Sequence, residues 1–139
     1  MKTNEGKQFN PAEYLIKITK NQKQPNGTYK PIVQEYLEVK WRIYWFRTEH
    51  SNWSIETEPL EINTEKQYVI FRAIVKDDKG RVIATATKVE TKNGFNDYLE
   101  KAETGSVGRA LALCGYGSQF APELEEGNKV VDAPIHNHG

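Results

Sequence analysis

The chain has 139 residues, 19 basic and 19 acidic, so its formal net charge is zero, and its hydrophobic fraction is 37%; that length builds one domain with its own core. Its one cysteine, Cys114, excludes an intrachain disulfide framework, and no apolar run approaches the roughly 18 residues of a membrane span. The charge is uneven: residues 1–50 hold nine basic and five acidic side chains, and residues 93–139 hold three and seven, a basic front and an acidic back that suit a polyanion-binding surface but equally an ordinary solvated one.

Residues 1–31 read as an N-terminal extension. Positions 11–19 include Tyr14, Leu15, Ile16 and Ile18, enough for a short strand or a helical turn. Positions 21–31 are rich in Asn, Gln, Lys, Pro and Gly and read as a loop. A core follows over 32–120. Across 32–50, apolar residues at Val33, Tyr36, Leu37, Trp41, Tyr44 and Trp45, with Val39, Ile43 and Phe46 beside them, predict a broadly covered helix that Ser51-Asn52 breaks.

Three strands are predicted next, over 53–62, 67–76 and 81–91. Pro59 marks a bend or an edge in the first. Asp77-Asp78-Lys79-Gly80 turns the second into the third, with Gly80 at a positive φ. In the middle strand Val69, Phe71, Ala73 and Val75 share one purely apolar face that should meet the helices, and Tyr68, Ile70, Arg72, Ile74 and Lys76 share the other. Asn93-Gly94 ends the sheet. Asp97 and Glu100 have capping-box spacing for a last helix reaching Cys114, and Gly115 fits a left-handed stop. Gly105 and Gly108 each cost about 1 kcal/mol inside a helix relative to alanine, which predicts a close approach of helix to sheet. Residues 121–139 read as an acidic flexible tail. The fold class expected is α+β, helix–β–β–β–helix, with a three- or four-stranded antiparallel sheet packed on a long C-terminal helix.

An enzyme is not expected. The histidines are His50, His136 and His138, and Cys114 sits in an apolar helical stretch with no evident base. His136-Asn137-His138 shares letters with an HNH nuclease but lacks its ββα frame, and two neighbouring imidazoles do not make a metal site. No metal or cofactor is expected. Glu56, Glu58 and Glu90 can share a sheet face, which reads as a solvated face rather than an acid–base set. Gly105-Ser106-Val107-Gly108 spells the GxxG of a KH loop, yet it lies inside a helical pattern and reads as packing. More telling is an aromatic–basic set, Lys40, Trp41, Arg42, Tyr44, Trp45 and Arg47, followed by Trp53. Interleaved aromatics and cations suit single strands, where bases stack and phosphates are neutralised. The same letters also suit a covered helix with cations snorkelling around core rings.

Several motifs resemble one family. Tyr36-Leu37-Glu38 opens a helix, the helix–β–β–β–helix order follows, and Leu99-Glu100-Lys101-Ala102 precedes Gly108-Arg109-Ala110-Leu111 and a terminal Gly115-Tyr116-Gly117. Over residues 36–117 the chain resembles the single-strand annealing superfamily of the eukaryotic Rad fifty-two core and the phage RecT, Redβ, ERF and Sak groups. It looks most like small homologues of Gram-positive phages and mobile elements, through Trp41-Arg42, Trp45-Phe46-Arg47, Ile55-Glu56-Thr57 and Phe120-Ala121-Pro122-Glu123. The eukaryotic helix carries further basic residues where this chain has Gly108 and Ala112. The resemblance implies a homo-oligomeric ring or filament that binds single-stranded DNA without sequence preference, needs no ATP and anneals strands in phage or mobile-element recombination and DNA repair. It implies an exonuclease or single-strand-binding partner and no membrane. With the polar start Met1-Lys2-Thr3-Asn4-Glu5, it implies the cytoplasm, the host's if the chain is phage-encoded. Arg42, Arg47, Lys88, Lys92, Lys101 and Arg109 would contact phosphates, and Trp45 or Trp53 would stack a base. A strand-coating protein without annealing activity, and a structural oligomerisation module or host-protein inhibitor, are the alternatives.

Overall fold

A computed structural model describes residues 8–93 and 96–117. A 3-10 turn at Pro11–Tyr14 opens them, capped by the Asn10 side chain, whose Oδ1 accepts the Ala12 N–H. The strands β1 (Ile16–Lys23) and β2 (Tyr29–Tyr36) form a two-stranded antiparallel ribbon, with Ile16 opposite Tyr36 at its base and Lys23 opposite Tyr29 near its tip. Then come α1 (Val39–Glu49), β3 (Ser54–Asn63), β4 (Tyr68–Lys76), β5 (Val82–Thr91) and α2 (Tyr98–Leu113). The last three strands form a separate antiparallel sheet in the order β3-β4-β5.

The three strands and the last helix fall where their sequence patterns place them, with ends shifted by a residue or two. Gly80 has φ +83 in the β4–β5 turn, and Gly115 has φ +98 at the end of α2. The chain's register shifts between Pro59 and Glu61, so the proline marks a bulge in the edge strand β3. The first helical expectation is corrected. Residues 32–50 divide into strand β2 and helix α1, and the presumed loop over 21–31 is strand on both sides of a tight turn at Gln24–Thr28. Ile32 and Val33 are β-branched and pair with Lys20 and Thr19. The apolar positions 33, 36 and 37 satisfy a helical and a strand period alike, so periodicity could not separate them. The four-stranded alternative is thereby replaced by three strands plus a ribbon.

The core lies between the sheet and α2. Val69, Phe71, Ala73 and Val75 are all buried, as is the α2 stripe of Ala102, Val107, Ala110 and Leu111. Phe46 of α1 joins this core, and Leu111 and Phe46 are both fully buried, each contributing about 1.5–3 kcal/mol by burial. Gly105 explains itself by proximity: a Cβ there would lie 2.9 Å from Cγ of Lys88, whose aliphatic stem crosses the helix at that point. The capping box does not form. Asp97 occupies the N-cap, but its side chain makes no cap hydrogen bond, its backbone at φ −98 and ψ 31 lying outside the extended region typical of a cap. At the other end, the Tyr116 N–H returns to the Leu111 carbonyl and the Gly115 N–H to Ala112, which closes the helix.

Candidate functional site

The helix α1 divides its side chains between interior and surface, and that division sorts the predicted site residues. Arg42 is fully buried. Its Nε donates to the Leu37 carbonyl at 2.7 Å and its Nη1 to the Gly108 carbonyl at 3.1 Å, while the guanidinium lies 5.1 Å from the Tyr36 ring centroid. Arg42 thus ties the β2–α1 corner to the middle of α2. Arg109 is also interior, 8% exposed. The two arginines that the sequence singled out as groove residues therefore sit inside the fold, away from the surface cations.

The aromatic set is packed largely on itself. Phe9, Tyr14, Trp41 and Tyr44 form a cluster with ring centroids 4.1 to 6.4 Å apart. Trp45 stacks on Phe9 at 5.9 Å and meets the Tyr116 ring edge-on at 5.0 Å. Its Nε1 donates to Oε2 of Glu49 at 3.0 Å, and the Tyr116 hydroxyl donates to the other carboxylate oxygen at 2.6 Å. Trp53 stacks face to face on His50 at 3.7 Å and 18°. The faces of Trp45 and Trp53 are thus already engaged within the protein.

Two cations predicted separately, Lys88 and Lys101, do come together. They line a groove of about 350 Å³ with Tyr36, Val39 and the carboxylates of Glu90, Asp97 and Glu100. Lys88 Nζ lies 3.8 Å from Glu90 Oε2, so the groove is of mixed charge. Glu90 stands opposite Val69 on the helix-facing side of the sheet. Glu56 and Glu58 stand on the other side, paired with Lys76 at 3.2 Å and Arg72 at 3.4 Å. The three glutamates therefore do not share a face. Lys92 is half-buried just beyond β5, its N–H bonded to the Gln67 carbonyl.

A second cavity, of about 270 Å³, is walled by His50, Trp53, Ile83, Leu113, Cys114 and Tyr116. Burial pushes the Cys114 thiol up to about 11, so at neutral pH it is the unreactive thiol. Among the described residues no three His, Cys, Asp or Glu side chains group so as to hold a metal ion, and no helix is long and apolar enough to cross a membrane. The His136-Asn137-His138 motif, the Phe120–Glu123 motif and the acidic tail lie outside the described residues.

What faces solvent on α1 includes two cations together with Thr48 and Glu49. Lys40 and Arg47 are exposed and Tyr44 is half-exposed between them, at the i, i+4, i+7 spacing of one helical side. Lys40 Nζ lies 5.6 Å from the Trp41 ring centroid. Arg47 is held in place by an Nη1 bond to the Trp53 carbonyl at 2.6 Å and by the Phe46 ring 5.2 Å away. The sequence pointed to Arg47 but left Lys40 among the surroundings. It also passed over the lysines of β1 and β2, of which Lys23 and Lys30 fall in the stretch 21–31 that reads as a loop and Lys17 in the stretch 11–19 that reads as a short strand or a helical turn.

A helix, three antiparallel strands and a second helix, in that order and packed in two layers, define a small α+β domain. Residues 43–114 match the family model described as Slr1353 N-terminal dsRNA-binding domain-like. The match runs from α1 through the whole of α2 and covers more than half of the chain's 139 residues, so the chain belongs to that family. No curated protein and no solved structure matches. The family assignment overturns the resemblance to the single-strand annealing superfamily. Of the motifs that carried that resemblance, Arg42 and Gly108-Arg109-Ala110-Leu111 are interior, and the bond from Arg42 to the Gly108 carbonyl holds α1 against α2.

Proposed function

We propose that this chain is a sequence-independent nucleic-acid-binding domain whose preferred ligand is double-stranded RNA. The observation that carries the proposal is family membership across α1, β3, β4, β5 and α2, a family described by its likeness to a dsRNA-binding domain. The chemistry of the surface supports it. Double-stranded RNA is recognised mainly by shape and by contacts to phosphates and 2′-hydroxyls, not by stacking on splayed bases. The described surface offers exposed cations at Lys40 and Arg47, whereas Trp45 and Trp53 are stacked within the protein. A chain of zero net charge suits a small number of phosphate contacts and a moderate salt dependence.

The test is fluorescence anisotropy with a labelled RNA duplex of about 20 base pairs, longer than the ≈ 16 that a dsRNA-binding domain spans. Single-stranded RNA, duplex DNA and single-stranded DNA of equal length serve as competitors over a salt series. Duplex RNA binds tightest if the proposal holds, and Lys40→Gln with Arg47→Gln lowers the salt slope by about 1–2. Absence of binding to all four at low salt refutes it. Single-stranded DNA binding is the second reading, favoured by the half-exposed Trp41 and Tyr44 beside Lys40. Tightest binding to single-stranded DNA would put that reading first, and the pairing rate of complementary strands would then separate annealing from coating.

A further inference from the structure

The ribbon of β1 and β2 lies wholly before residue 43, where the family match begins. We propose that it is a second nucleic-acid contact, an arm that lays Lys17 and Lys23 against the phosphate backbone of the duplex bound by the domain. The inference rests on the nucleic-acid reading above and adds a site to it.

An isolated two-stranded hairpin is marginal in water, so its surface chemistry is informative. Successive residues of a strand point to opposite faces, which places Lys17, Thr19, Asn21 and Lys23 on one face together with their partners Glu35, Val33, Pro31 and Tyr29. All eight are exposed, Tyr29 and Val33 to 63%. The other face is partly covered, with Ile18, Lys20, Ile32, Gln34 and Tyr36 half-buried. One side of the ribbon is thus partly covered and the other is presented to solvent.

The ribbon carries Lys17, Lys20, Lys23 and Lys30 against a single carboxylate, Glu35. In a chain of zero net charge it is a local concentration of positive charge. Among the described residues Lys17, Lys23 and Lys30 enter no ion pair, although Glu35 stands across from Lys17. This contrasts with β4, where Arg72 and Lys76 are both paired across to glutamates of β3. Unpaired ammonium groups beside an exposed tyrosine and proline fit a polyanion with sugar and base edges.

Geometry supports the same occupant. Eight residues of strand extend ~26 Å, and the six-residue step from Lys17 to Lys23 on one face spans ~20 Å. A double helix presents a phosphate charge about every 1.7 Å of its axis, so a ribbon of that length meets phosphates in any register. Only two residues, Leu37 and Glu38, separate β2 from α1. Arg42 pins that corner through the Leu37 carbonyl, which fixes where the ribbon leaves the domain beside Lys40.

The experiment compares the full chain with its Lys17→Gln, Lys23→Gln double variant, using the RNA duplex and the salt series described above. Lys79→Gln with Arg81→Gln, in the β4–β5 turn, is the control. Each phosphate contact contributes about 0.7–0.9 to the slope of log affinity against log salt, so the double variant loses about 1.4–1.8 units. Between 50 and 200 mM salt it therefore loses roughly 7–12-fold less affinity than the wild type. An unchanged slope in a variant that still binds overturns the arm and leaves the domain's own binding intact. No binding by the wild type overturns the underlying reading, and the arm with it. A double variant that alters the oligomeric state in sedimentation while keeping the wild-type slope makes the ribbon a contact between copies, which also overturns the proposal. Circular dichroism and the urea midpoint check that all variants fold alike.

Discussion

Replacing Arg42 with methionine tests whether this arginine is a structural tie or a phosphate ligand. The side chain is fully buried and donates to two carbonyls, those of Leu37 and Gly108. Methionine retains much of the volume and removes every donor, so both carbonyls lose a charge-assisted partner in the interior. Hydrogen bonds to a charged group are worth about 1.5–3 kcal/mol each, so losing two costs about 3–6 kcal/mol. Removing a buried cation returns part of its desolvation cost, which leaves a net loss of about 3 kcal/mol. Against a typical total of 5–15 kcal/mol this is severe, and it lowers the melting temperature by roughly 10–20 °C. Urea denaturation measures the loss, and anisotropy below the unfolding transition measures binding. The expected result is a large drop in stability with an unchanged salt slope for the fraction that stays folded. A loss below about 1 kcal/mol, accompanied by a slope reduced by about one unit, refutes the reasoning and returns Arg42 to the phosphate-binding set.

Two further outcomes follow from the packing of α2. Gly105→Ala gains about 1 kcal/mol of helix propensity but pushes its new Cβ to 2.9 Å from Cγ of Lys88; the gain should appear in full only in a Lys88→Ala background, and a double-mutant cycle showing no coupling contradicts the close approach. Stability is expected to be flat up to pH 9 and to fall above it. The Cys114 thiol is raised from 9.0 to about 11 by burial, and the Tyr116 hydroxyl is raised by burial and by the Glu49 carboxylate. Raised acids lose their protons first in the unfolded chain, so their contribution is complete below pH 9 and declines as pH rises towards 11. Urea midpoints at pH 8 and 10.5 measure the decline, and Cys114→Ala with Tyr116→Phe should flatten it. An equal decline in the double variant assigns the effect to other groups.

The three-stranded sheet and α2 were legible because their signals are local and agree. Val69, Phe71, Ala73 and Val75 alternate strictly, Gly80 supplies the turn, and Gly115 supplies the stop. The ribbon was not legible. Its polar strand, residues 16–23, has few apolar positions to reveal a period, and its partner strand runs into α1 across only two residues, so Val33, Tyr36 and Leu37 extend the helical stripe by coincidence. Its Gly27 turn was visible as a turn, yet a turn reveals a hairpin only when both flanking strands are recognised.

Which of the cations face outward was illegible for a different reason. A cation in a helix beside tryptophans can serve a ligand or the fold, and the sequence carries the letters without the direction in which they point. Arg42 and Arg47 lie five residues apart, about 140° around the helix, so one enters the interior and the other faces solvent. Gly108 was read as a packing position, and its carbonyl accepts from Arg42. Of the two arginines that looked most like DNA recognition, Arg42 is explained by the contact of α1 with α2, and Arg109 is likewise buried. The exposed cations proposed to meet a ligand are Lys40 and Arg47 on α1, the latter also bonded to the Trp53 carbonyl, and Lys17 and Lys23 of the ribbon. The cost of removing them is predicted to fall on the salt slope rather than on the urea midpoint, because exposed charges contribute little to stability and counter-ion release dominates backbone binding.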